Sequence, residues 1–110
     1  MRAQRYRVEI TKTAESDIRE IFQYITTDHE TAAKKLLKKV EHQINSLEQF
    51  PMRCPVIPES RELGKEYRHI IYGNYRTIFR IDDARVIIMR VIHSARLLSL
   101  KMFEKDTEKT

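Results

Sequence analysis

The hydrophobic period of this chain switches once along its length, and that switch constrains its fold more than any other feature. After an alternating stretch at Tyr6 to Ile10, the apolar residues Ala14, Ile18, Ile21, Phe22 and Ile25 recur at spacings of three and four, and Ala33, Leu36, Leu37, Val40, Ile44 and Leu47 do the same. That period is the signature of two amphipathic helices. Thr11 or Thr13 supplies a hydroxyl cap for the first, which ends near Tyr24 to Thr27, and Asp28 or Thr31 one for the second. Only a few residues separate them, so an antiparallel helical hairpin is expected. From Tyr67 onward the period is that of strands: Tyr67 to Tyr72, Tyr75 to Ile81 and Arg85 to His93, joined by Gly73-Asn74 and by Asp82-Asp83-Ala84. Between the two regimes, "FPMRCPVIPESRELGKE" holds all three prolines and one of the two glycines, the mark of an irregular connection packed on the surface. A helical turn or tail is expected from Ala95 to about Lys105, fraying at its polar end. The expected class is α+β, with the hairpin on one face of a largely antiparallel four-stranded sheet. A chain of 110 residues fits a single domain over 1–110.

Alternation assigns side chains to the two faces of that sheet. Thr77, Phe79 and Ile81 share one face, and Arg76, Ile78 and Arg80 the other. An unpaired guanidinium is costly to bury, so the arginine face is expected to be open and the other to meet the helices. Continuing the scheme, Ile87, Met89, Val91 and His93 face the helices, while Val86, Ile88, Arg90 and Ile92 lie on the open side, joined by Arg68, Ile70 and Tyr72. Arg96 stands just beyond the edge. The positive charge is local: seven arginines and Lys65 stand against four acids between Arg61 and Arg96, a net +4 of the chain's +5. Arginine's planar fork suits phosphates and carboxylates better than an ammonium does. Lys34, Lys35, Lys38 and Lys39 form a second basic band, read as a solvated helix face.

Other chemistry is thinly represented. Cys54 is the sole cysteine and forms no internal disulfide, which fits a reducing compartment. The four histidines show no metal-ligand spacing, and no metal or cofactor is expected. No stretch resembles a signal peptide or reaches the ~20 apolar residues that span a bilayer, so a cytoplasmic location without membrane contact is expected.

The element order, with "TKTAESDIREIFQYI", "EYRHIIYGNYRTIFRI" and "VIIMRVIHSAR", resembles the RelE/ParE family of bacterial toxins from type II toxin-antitoxin (plasmid stabilisation) modules, over about Tyr6 to Leu98. The resemblance implies a β-α-α-β-β-β fold and one of two activities. ParE-like members poison DNA gyrase without needing a catalytic residue. RelE-like members are metal-independent, ribosome-dependent mRNA endonucleases, whose arginines Arg76 and Arg96 match in place, with Arg68 standing in for a lysine. A nuclease needs groups that take and give protons beside cations for the transition state. Here Ile70 and Met102 or Phe103 occupy two of the nuclease positions, and Tyr72, Tyr75 and His93 are weak substitutes. The hairpin and "RVIHSAR" look closer to the ParE branch, so gyrase is the expected target and the ribosome with its mRNA the alternative. A non-toxic nucleic-acid- or protein-binding module ranks third. The resemblance also implies a cognate acidic antitoxin in a hetero-oligomer. The expected antitoxin- or target-binding residues are Arg68, Arg76, Ile78, Arg80, Arg90 and Arg96, with Ile78, Val86 and Ile88 hidden by the partner.

Overall fold

The computed structural model describes residues 5–97. The elements are β1 (Arg7–Ile10), α1 (Lys12–Thr26), α2 (Glu30–Ser46), a short 3-10 turn at Pro51–Arg53, α3 (Ser60–Leu63), β2 (Arg68–Tyr72), β3 (Tyr75–Asp82) and β4 (Arg85–His93). The strand order is β1-β4-β3-β2, with β1 parallel to β4 and the other pairs antiparallel. The α+β reading is correct, and the sheet is mixed through β1. Thr11 is the cap of α1: its hydroxyl accepts from the Ala14 amide at 3.1 Å and donates to the Ile88 carbonyl at 2.9 Å. One side chain thereby starts the helix and ties it to β4. At α2 the cap is His29, which makes no capping side-chain bond, rather than Asp28 or Thr31.

The helical hairpin covers one sheet face, and its main core joins Ala14, Val40, Ile44 and Leu47 to Phe79, Val86, Ile88 and Cys54. Burying such a side chain contributes roughly 1.5–3 kcal/mol. Phe79 lies on the helix side as expected, but Val86 and Ile88 do too, reversing their assignment. The reason is a β-bulge: Ile78 pairs with Arg90 while Phe79 pairs with Ile88, leaving Met89 as the extra residue. A bulge shifts the phase of alternation, so a face inferred for Val91 does not extend back past Met89. Hairpin register corrects β2 likewise. Arg68, Ile70 and Tyr72 pair with Phe79, Thr77 and Tyr75, which places them on the helix side. Ile70 packs against the main core.

The opposite face is not open. The Pro-rich connection runs beside the start of β2, with the His69 amide donating to Pro55 O at 3.2 Å and the Ile57 amide to Tyr67 O at 2.9 Å. It then folds across the sheet. Ile57, Tyr67, Ile78 and Ile92 form a second core there, with Leu63 and Met89 against it. The Ser60 hydroxyl accepts from the Tyr67 amide at 2.9 Å, and Gly64 ends α3 in the left-handed region at φ +74°. The expectation that the arginine face is uncovered is thus wrong for most of its length. An irregular sequence carries no period, so nothing in it announces which face it will cover.

Candidate functional site

The covered face centres on Arg76. Its partner across the β2–β3 pair is Ile71, and His69 stands opposite the neighbouring Ile78, so His69 and Arg76 share that face. The connection brings Glu59 over them. Arg76 donates from Nη1 to Glu59 Oε1 at 3.3 Å and from Nη2 to Glu59 Oε2, a two-pronged pair. Nη2 also donates to the Arg96 carbonyl at 2.6 Å, and Nη1 lies 3.5 Å from His69 Nδ1. The side chains of Arg76 and Glu59 are only 5% and 10% exposed. Burial of an arginine is tolerable here because a carboxylate meets it squarely. Arg76 Nε is buried without a hydrogen-bond partner among the described residues. His69 has its pKa pushed down, first by burial and then by the Arg76 guanidinium, with Glu59 opposing.

The arginines singled out from the sequence therefore separate into distinct environments. Arg90 does not join the others: its guanidinium pairs with Asp17 of α1 at 2.7 and 2.8 Å, while Asp17 also accepts from the Val91 amide at 3.0 Å. This is a brace between helix and bulged strand. Arg68 donates to the carbonyls of Met52 at 3.2 Å and Cys54 at 2.6 Å and pairs with Glu66 at 2.9 Å, so it holds the connection in place. Ile78 has no exposure at all and is hidden by the chain itself rather than by a partner, as are Val86 and Ile88. Arg80 reaches solvent, 3.8 Å from Asp82. Arg96 is exposed in the turn after β4, where its amide donates to His93 O at 2.9 Å. Two apolar residues are also exposed, Ile71 on the edge strand β2 and Leu97 next to Arg96.

The remaining candidates have ordinary roles. The rings of Tyr75 and His93 meet edge to face with centroids 5.8 Å apart, and exposed His93 accepts from the Ala95 amide at 3.1 Å. Burial raises the pKa of the Cys54 thiol, against opposing effects of Arg53 and Arg68, which leaves it protonated and inert at neutral pH. Among the described residues no group of His, Cys, Asp or Glu side chains is placed to hold a metal ion. Met102 and Phe103, and most of the expected C-terminal helical turn, lie outside the described residues; residues 94–96 form a turn.

Sequence reasoning missed Glu59 and His69. His69 could have been found from the hairpin register, because pairing Tyr72 with Tyr75 fixes its face. Glu59 has no signal short of the fold, since it arrives from a connection without periodicity.

Comparison with known proteins places this geometry. Among solved structures, the chain is similar to a chain of the chromosomal ParDE toxin-antitoxin system from P. aeruginosa, at 15% identity and a TM-score of 0.65, covering 83% of this chain and 98% of that one. It is also similar to a chain of the toxin-antitoxin complex RelBE2 from Mycobacterium tuberculosis, at 29% identity and a TM-score of 0.61, covering 81% and 98%. None of the curated proteins matches. The family model for the ParE toxin of the type II toxin-antitoxin system parDE matches residues 8–98, which takes in every element from the body of β1 through β4, and the chain therefore belongs to the ParE toxin family, within the RelE/ParE superfamily of type II toxin-antitoxin systems.

Proposed function

We propose that this toxin acts as a ParE-like inhibitor of DNA gyrase in the cytoplasm and is neutralised by an acidic antitoxin. The observation that carries this reading is the burial of Arg76. A nuclease of the RelE type would need that guanidinium free to meet the phosphate in the transition state. Here its two terminal nitrogens are taken by Glu59, by the Arg96 carbonyl and weakly by His69. Separating the pair in place would leave each buried charge without the other, at a cost of several kcal/mol. Poisoning by binding needs no free arginine at that place.

Contacts with antitoxin or target then fall to Arg80 and Arg96, with the exposed Ile71 and Leu97 as apolar neighbours. Arg76 holds the Arg96 turn through its carbonyl, while Arg68 and Arg90 brace the connection and α1 elsewhere. An acidic segment that folds on binding would match both its charge and its apolar edge.

The alternative, mRNA cleavage on the ribosome, is favoured by the higher identity to the RelBE2 complex than to the ParDE system. Two assays run side by side separate the readings. Purified gyrase supercoils relaxed plasmid with and without the protein, and translating ribosomes are probed for mRNA fragments. Loss of supercoiling with intact mRNA supports the proposal. Ribosome-dependent fragments with normal supercoiling replace it with the nuclease.

A further inference from the structure

A concave groove lies between the outer face of α2 and the end of β2, lined by Lys35, Lys38, Lys39, His42 and Tyr72. From the sequence this band is only a solvated helix face. The structure adds three facts. First, the stripe is not the convex back of a free helix, because Tyr72 forms the opposite wall. Second, that wall is fixed: Gln43 of α2 donates from Nε2 to the carbonyl of Ile71, next to Tyr72, at 3.1 Å. Third, the cations are uncompensated. Lys34 pairs with Glu30 at 3.2 Å, but Lys35, Lys38 and Lys39 are exposed and enter no ion pair among the described residues.

We infer that this groove is a binding site for the phosphate backbone of duplex DNA, separate from the arginine face. Residues 35, 38, 39 and 42 fall at successive i+3 and i+4 positions on one stripe. At ~1.5 Å per residue the stripe is roughly 10 Å long. Along the helix axis each strand of B-DNA presents a charge every ~3.4 Å, so about three phosphates lie within that length, in reach of the three lysine side chains and His42. Lysine ammoniums are point charges that contact phosphate without reading base edges, which fits sequence-independent binding. Single-stranded nucleic acid would call for stacked aromatic platforms, whereas the groove offers one half-buried tyrosine. Tyr72, which lines the groove, carries a phenol hydroxyl that can donate to a further phosphate oxygen. The inference does not depend on gyrase being the target, because it concerns binding to free DNA.

The test is fluorescence anisotropy with a labelled duplex oligonucleotide across a salt series. Three phosphate contacts contribute a slope of about −2.7 in log affinity against log salt. The K35A/K38A/K39A protein should therefore show a slope shallower by about that amount. Between about 50 and 200 mM salt, wild type should lose roughly 40-fold more affinity than the variant. A control that removes the same charge elsewhere, Arg5, Lys12 and Arg19 to Ala, should keep most of the wild-type slope. Circular dichroism checks that all three proteins are folded. Equal loss in the two triple variants would overturn the inference, leaving only net charge at work. A wild-type slope in K35A/K38A/K39A, or tight binding to an RNA hairpin with none to the DNA duplex, would overturn it as well.

Discussion

Replacing Glu59 with glutamine tests the buried pair that organises the covered face. The Glu59→Gln change keeps the shape of the side chain but removes its charge, leaving the Arg76 guanidinium about as buried as before, with only the Arg96 carbonyl and neutral groups around it. The side chains of the pair are 5% and 10% exposed, so solvent screening is slight and no large discount applies. Removing one partner of a buried ion pair costs about 3–5 kcal/mol, and the amide can still accept one bond, so the lower end, ~3 kcal/mol, is expected. For a domain of this size that lowers the melting temperature by roughly 12 °C or more. Urea denaturation should show the same loss as a lower midpoint with an unchanged slope. The double variant E59L/R76M removes both charges and should recover to within about 1–2 kcal/mol of wild type, because apolar replacements of buried pairs are often near neutral. If E59Q costs less than ~0.5 kcal/mol, or the double variant is worse than either single one, the pair is not buried as described. Arg76→Ala likewise loses stability along with any activity, because it leaves the buried Glu59 carboxylate without the guanidinium. Its failure in a toxicity assay is therefore no evidence of catalysis.

Other outcomes follow from the same structure. Thr11→Ala removes the α1 cap and the hydroxyl bond to Ile88 together, and should cost about 1–2 kcal/mol in chemical denaturation. Phe79→Ala should cost about 3–5 kcal/mol, because its ring is wholly enclosed between the hairpin and the sheet. For His69 the folded-state pKa lies below the ordinary value of 6.5, so the unfolded chain binds the proton first. Stability from this group is fully present above 6.5 and declines as pH falls through the folded pKa, and His69→Asn should flatten that acid limb in melts run from neutral to mildly acidic pH. Cys54 should resist iodoacetamide in the native protein and react at once in denaturant, as mass spectrometry would read.

What could be read in advance was whatever carries a period or a turn signature. The two helices follow from apolar spacing, and the hairpin at Gly73-Asn74 follows from its turn residues, Gly73 taking a positive φ of 57°. Asp83 makes the equivalent adjustment at φ 58° without a glycine, and there the charge-rich turn was the only cue. Faces were legible on β3 but not on β4, because the bulge at Met89 leaves no mark in a run of aliphatic residues. The candidate site was half legible. Arg76 stood out as an arginine within an apolar strand, but its environment depended on a long-range partner, Glu59, delivered by the connection. The original physical premise survives in altered form: a buried guanidinium does need compensation, and the chain supplies it from within rather than leaving the face to water or to an antitoxin.

The most direct measurement is a gyrase supercoiling assay with the purified wild-type toxin, paired with primer extension on mRNA from translating ribosomes. Gyrase poisoning gives loss of supercoiling with accumulation of gyrase-linked cleaved DNA, and full-length mRNA throughout. Discrete mRNA cuts that require the ribosome, with supercoiling proceeding at its normal rate, would contradict it.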